Sequence, residues 1–164
     1  MGRKDLVFTV VSEAGASVYS TSEAAKEDFP DQTPEVAGAA SIARRLQDPL
    51  AELVKIDPQH IGVGMYQHDI QSSKLAERLK EVVEDCVNSV GVDANTASPY
   101  LLQYVSGLNK RLARTLYQEV HPGGLKISSP FSDRYSIKSR IKGFGPKTFE
   151  QSAGKTVIVF YGLF

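Results

Sequence analysis

With 164 residues, 41% of them hydrophobic and 23% charged, the chain is long enough for one ordinary domain or two small ones, and its composition excludes wholesale disorder. A single cysteine, Cys86, excludes an intramolecular disulfide and a cysteine-built zinc cage, and fits a reducing intracellular compartment, cytoplasmic or nuclear. The formal net charge is zero, yet residues 1–100 hold 9 Lys+Arg against 16 Asp+Glu while residues 101–164 hold 10 against 3, a division of −7 and +7 that points either to a polyanionic partner or to attraction between the halves.

No stretch approaches the roughly 20 apolar residues that span a bilayer, so no membrane partner is expected. The opening Met-Gly-Arg-Lys-Asp leads into an apolar run too short for a secretory signal. Residues 5–11 (DLVFTVV) are β-branched and aromatic and predict a buried strand. Ser20 and Glu23 have capping-box spacing and predict a short helix to Asp28. Thr33-Pro34-Glu35 starts another, running through AGAASIARR, whose small residues allow close packing. Asp48-Pro49 repeats the signal for LAELVKI. Residues 57–69 read as a loop. Ser73 to Val87 is a clear helix, with Leu75, Leu79, Val82, Cys86 and Val87 as its apolar stripe, which makes Cys86 a core residue.

After Asn95 the pattern changes to short helices around glycine turns. Ser98-Pro99 starts one helix, and Val105-Ser106-Gly107-Leu108-Asn109 turns into a second with Leu112, Ala113 and Leu116 on its apolar face. Ile141-Lys142-Gly143-Phe144-Gly145 turns into a third, with Pro146 at its first position and Phe149 facing inward. Residues 119–136 read as an irregular connection between these two copies.

Each copy sets a tight turn directly before a helix N-terminus, where unpaired N–H groups and the positive end of the helix dipole can hold a phosphate. Glycine permits positive φ and close approach of the backbone, which singles out Gly107, Gly143 and Gly145, with Asn109 as the residue that best replaces glycine at positive φ. Leu108 and Phe144 would anchor the turns, and Lys110, Arg111 and Lys147 stand beside them as phosphate contacts require. The alternative is a pair of ordinary helical corners.

Other chemistry is weaker. Gly154-Lys155-Thr156 matches the end of a P-loop, but Phe149 replaces the leading glycine and a strand-like run follows, so no nucleotide cofactor is expected. His60, His68 and His121 lack helical pairing and cysteine partners, so no metal is expected. Glu13 and Asp48 are either metal-binding carboxylates or a solvated and a capping residue, and local pattern favours the second.

The phrases SEAGASVYSTSEAA, SIARRLQDPLAELVKIDPQHIGVGMYQHDI, LAERLKEVVEDCVNSVGVDANTASPYLLQYVSGLNKRLA and IKGFGPKTFEQSAG together resemble the Tex family, bacterial transcription accessory proteins and their eukaryotic RNA-binding-domain relatives. The resemblance covers most of residues 6–118 and about 130–154. It implies a mainly α chain: the C-terminal part of a ribonuclease-H-like (α/β) YqgF domain over 1–56, a connecting loop and helix over 57–94, and tandem helix-hairpin-helix units over 95–154. Residues 155–164 form an atypical apolar tail. By the same resemblance Glu13 and Asp48, the latter in Asp48-Pro49-Leu50-Ala51, fall where nuclease relatives bind metal, as vestigial carboxylates without the first-strand aspartate. The family's N-terminal helices, first YqgF strands and C-terminal OB-fold are not matched, so the chain is expected to correspond to part of a longer protein. The reading is a non-catalytic module that binds RNA or DNA backbones. The rivals are a YqgF-type metal-dependent nuclease fragment and a protein-interaction scaffold of the transcription machinery. Unpaired strand edges and the run VIVFYGLF predict self-association of the isolated chain.

Overall fold

The computed structural model describes residues 8–122, 127–154 and the backbone of 156–157, divided between two compact units, Met1–Val63 and Gly64–Phe164. Helices α1 (Ala16–Ser20), α2 (Glu23–Asp28), α3 (Pro34–Gln47) and α4 (Pro49–Leu53) make the first unit among its described residues. Gly15 opens α1 at φ +72°, and a Cβ there would lie 2.9 Å from Ile56 Cγ2, so both conformation and space require glycine. A Cβ on Gly38 would lie 3.6 Å from Ser20 Cβ, so the small residues of α3 do let it lie close on α1. Pro34 and Pro49 each occupy a first helical position, where a missing N–H costs nothing.

The core of this unit is partly polar. The Tyr19 hydroxyl, on a side chain with no exposed surface, donates to Asp28 Oδ2 at 2.6 Å. Lys55 Nζ lies 2.7 Å from both half-buried Asp28 and buried Glu52, and Ser41 donates to Glu52 at 3.1 Å, so each carboxylate has a cation and a donor. Burial holds the Tyr19 phenol well above its ordinary pKa, and its hydrogen bond to Asp28 adds to the shift. Arg45 donates through Nη1 to the carbonyls of Ser12 and Ala14, pinning the segment before α1; its Nε and Nη2 are buried without a partner among the described residues.

Two expectations for this unit are corrected. Residues 8–11 of the expected strand are not in a ladder, and Phe8 and Val10 are 90% and 93% exposed; residues 5–7 lie outside the described residues. β-propensity alone makes no strand without a neighbour to accept its hydrogen bonds, so no ribonuclease-H-like sheet is seen among the described residues of this unit, whose regular elements are helices. The expected Ser20–Glu23 box is also displaced. Ser20 ends α1, and Ser22, directly before α2, is the cap that accepts from the Ala25 N–H at 3.2 Å.

The second unit runs α5 (Ser72–Val90), β1 (Val92–Asp93), α6 (Pro99–Leu102), α7 (Lys110–Val120), α8 (Arg134–Arg140), α9 (Pro146–Ala153) and β2 (Thr156–Val157). Strand β2 pairs in parallel with β1, Val92 opposite Thr156 and Asp93 opposite Val157, joining the two ends of the helical array. An extended backbone at Thr156 is incompatible with a P-loop, whose Lys-Ser/Thr opens a helix. Residues 155 and 158–164 of the apolar tail lie outside the described residues.

Cys86 is exposed, which corrects its assignment to the core, and Val82 is 57% exposed. The inward row of α5 is Leu75, Leu79, Val83 and Val87, successive i, i+4 neighbours, of which only Val87 is fully covered; Val82 and Cys86 lie on the flank.

The connection expected to be irregular ends within the first turn of α8, whose capping box is closed by the Asp133 side chain accepting from the Ser136 N–H at 2.7 Å. The preceding segment is held by buried Asn95, which donates to the Phe131 carbonyl at 3.1 Å and accepts from its N–H at 2.7 Å. Arg140 holds the other side: it donates to Ser129 and Pro130 carbonyls, pairs with Glu119 at 3.0 Å and stacks over Phe131. Residues 123–126 lie outside the described residues.

Candidate functional site

Helices α6 and α7 form one hairpin and α8 and α9 a second, and their turns repeat residue for residue. Gly107 and Gly143 hold φ of +82° and +91°, each three positions before the first residue of the following helix. In each turn the next residue, buried Leu108 or Phe144, bonds back through its N–H to the carbonyl of buried Val105 or Ile141, at 3.0 and 3.2 Å. Asn109 and Gly145 then occupy equivalent N-cap positions, their carbonyls accepting from Ala113 and Phe149 at 2.9 Å each.

The hairpins pack reciprocally. A Cβ on Gly107 would lie 2.9 Å from Gln151 Cβ and 3.1 Å from the Thr148 carbonyl, so the first turn sits against α9. A Cβ on Gly143 would lie 3.6 Å from Leu112 Cδ2 and 3.9 Å from an Arg111 Nη, so the second turn sits against the start of α7. Both glycines thus meet the third residue of the other hairpin's helix, and the two helix N-termini come side by side. The structure in this way brings together Gly107 and Gly143 with Arg111, and sets Lys110 and Lys147 at the openings of adjacent helices.

Two glycine roles are corrected. Asn109 is not at positive φ: it is extended at φ −107° and serves as the cap of α7, its Oδ1 accepting from the Leu112 N–H at 2.9 Å. An N-cap residue takes extended geometry so that its side chain can turn back on the first turn, and Asn is among the residues best suited to do so. Gly145 is also extended, at φ −73°, and a Cβ there would meet nothing within 4 Å. Neither conformation nor packing therefore demands glycine at 145, and its effect is to leave the start of α9 bare. No side chain caps α9, Pro146 has no N–H, and the N–H groups of Lys147 and Thr148 have no acceptor among the described residues.

Around these openings Lys110, Arg111, Lys142 and Lys147 are exposed, and none is in an ion pair among the described residues. Lys142 was not singled out from the sequence; it precedes Gly143 directly, and its signal was the lysine within the repeated turn itself. Arg140 is a nearby cation whose charge is engaged, by Glu119.

The vestigial carboxylates are placed otherwise. Asp48 caps α4, its Oδ1 accepting from the Ala51 N–H at 2.9 Å, and Glu13 is exposed before α1. No group of three His, Cys, Asp or Glu among the described residues is arranged to hold a metal ion. His121 is buried and stacked on Tyr117 with ring centroids 4.3 Å apart. No helix among the described residues is long and apolar enough to cross a membrane.

Comparison with known families finds one match within each unit. Residues 2–47 match the Tex protein YqgF-like domain, and residues 87–156 match the helix-hairpin-helix motif. The chain is 57% identical over 154 residues to the transcriptional accessory protein Tex of Neisseria gonorrhoeae, covering 94% of this chain and 20% of that protein. It is 57% identical over 152 residues to protein tex of Bordetella pertussis, covering 92% of this chain and 18% of the relative. The human S1 RNA-binding domain-containing protein 1 is 50% identical over 150 residues, covering 92% of this chain and 14% of the relative. The chain therefore spans a fifth or less of the length of these relatives.

Proposed function

Because the chain belongs to the Tex family along nearly all of its length, we propose that its second unit is the part of a transcription accessory protein that grips nucleic-acid phosphates through its paired hairpins. The observation that carries this reading is the bare, glycine-capped start of α9, set beside α7 and bordered by Arg111, Lys142 and Lys147. Backbone N–H groups and a helix dipole supply the anion seat, and the lysines and arginine supply charge at the next phosphates. Gly107, Gly143 and Gly145 give the turn its shape and clearance, while Asn109 organises the first helix. Such contacts read the backbone and not the bases, so DNA and RNA both qualify as partners. The direct test is titration of labelled oligonucleotides of several sequences at increasing salt. Affinity should fall linearly on logarithmic axes and depend little on sequence; salt-insensitive binding, or none, would remove the proposal.

The reading includes absence of catalysis. Asp48 spends its carboxylate on a helix cap and Glu13 stands in solvent, whereas two-metal hydrolysis needs several convergent carboxylates. Incubation with DNA or RNA junctions in magnesium or manganese should give no products. Cleavage that disappears in Glu13→Gln or Asp48→Asn would restore the nuclease reading.

Self-association of the isolated chain, and docking of its helices onto transcription machinery, are further parts of the proposal. Extended residues with Phe8 and Val10 almost wholly in solvent support the first. Since Thr156 and Val157 are paired with β1, truncation should begin at residue 158 and not at 155 if solubility is to improve. A monodisperse full-length monomer in sedimentation would contradict self-association.

A further inference from the structure

The second hairpin carries an aromatic ladder that its fold does not use up. Buried Phe144, the anchor of the turn, meets Phe149 edge-on with ring centroids 6.5 Å apart, and Phe149 meets Tyr135 at 5.5 Å and 34°. Tyr135, on α8, is 73% exposed, so its ring is seated on Phe149 beneath and faces solvent above. Lys138, one turn further along α8, lies 5.4 Å over the Phe149 ring. Residues 134–149 contain five cations and no carboxylate. Of these cations Arg140 is engaged with Glu119 and Arg134 is exposed with an interaction of its own, while Lys138, Lys142 and Lys147 are exposed. The nearest acids in sequence flank the segment: Asp133, whose carboxylate caps α8, and exposed Glu150.

We propose that Tyr135 is a stacking platform for one unpaired base of a single-stranded nucleic acid whose phosphate lies at the start of α9. An exposed aromatic ring seated on a second ring presents a flat apolar face at little entropic cost. Cations around it attract a polyanion and disfavour a basic protein surface, and the flat ring face suits a base. The ladder joins the platform to the hairpin, since Phe149 lies in the first turn of the helix whose N–H groups are bare. A base inside a duplex has both faces covered by its neighbours and cannot stack on Tyr135, so the platform distinguishes single strands from duplexes where the hairpins alone do not. This inference rests on the phosphate-binding reading of α9.

The test uses the full chain, a labelled single-stranded oligonucleotide and the blunt duplex of the same sequence, with a 2-aminopurine base in the single strand to report stacking. Tyr135→Ala should weaken single-strand binding about tenfold and leave duplex binding unchanged, and the quenching of 2-aminopurine should be lost with it. Tyr135→Phe should retain both, while Lys147→Glu should weaken both ligands. If Tyr135→Ala leaves single-strand affinity and quenching intact while Lys147→Glu still weakens both, the platform is wrong and the hairpin reading stands. Equal loss for duplex and single strand in Tyr135→Ala would also overturn the platform. If the unaltered chain binds neither ligand, the hairpin reading fails and the platform fails with it.

Discussion

Lys147→Glu should lower affinity for every nucleic-acid sequence by about ten- to a hundredfold, the range of one lost charge-assisted contact. The loss should leave the fold unharmed. Lys147 is exposed at the second position of α9, where a carboxylate is favoured by the helix dipole. Stability should therefore hold or rise while binding falls, which separates lost contact from unfolding. The new carboxylate would also compete for the N–H groups of Lys147 and Thr148, occupying the anion seat from within. Lys110→Glu should act in the same direction but less strongly, because the Leu112 N–H of α7 is already satisfied by Asn109. Each reversal should flatten the slope of log affinity against log salt by roughly one unit. The readout is fluorescence anisotropy across a salt series, with circular dichroism as the control. Unchanged affinity in both variants would reduce the hairpins to structural corners.

Replacement of Gly107 should have the largest effect on stability. At φ +82° any side chain is strained by about 1–2 kcal/mol. A Cβ would in addition sit 2.9 Å from Gln151 Cβ and 3.1 Å from the Thr148 carbonyl, and a helix backbone cannot step aside as a flexible side chain can. Gly107→Ala should therefore cost about 3 kcal/mol or more, through strain and separation of the first turn from α9. Gly145→Ala offers the contrast. It faces open space at ordinary φ, so only the poorer capping of alanine, about 1 kcal/mol, should be felt. Its methyl group would nevertheless stand where a phosphate must approach the bare N–H groups, so binding should weaken in a protein that still folds. Thermal unfolding followed by circular dichroism, paired with anisotropy, reads both effects. A Gly107→Ala variant that melts with the parent chain would contradict the reciprocal packing.

What the sequence determined by itself was local. The starts at Thr33-Pro34, Asp48-Pro49, Ser98-Pro99 and Pro146 all lie where cap and proline signals put them, because proline fixes its own φ and the caps that form, at Asp48 and Ser98, join residues three apart. The paired turns were legible for the same reason, with Leu108 and Phe144 buried as anchors and Leu112, Ala113 and Leu116 on the covered face. Tertiary structure decided the rest. DLVFTVV has the composition of a strand, but residues 8–11 meet no partner among the described residues to make them one. Cys86 lies near an apolar stripe, but which flank of α5 is covered depends on residues far along the chain. Composition marked both Asn109 and Gly145 as turn-formers, yet positive φ belongs to Gly107 and Gly143, and only packed neighbours reveal why. Gly107 is confined by Thr148 and Gln151, more than forty positions away, whereas Gly145 is confined by nothing. The two turns thus differ in two ways: one helix start is capped by its own asparagine and the other left open, a local difference written in the sequence, whereas the confinement of Gly107 is a contact across the fold and is not.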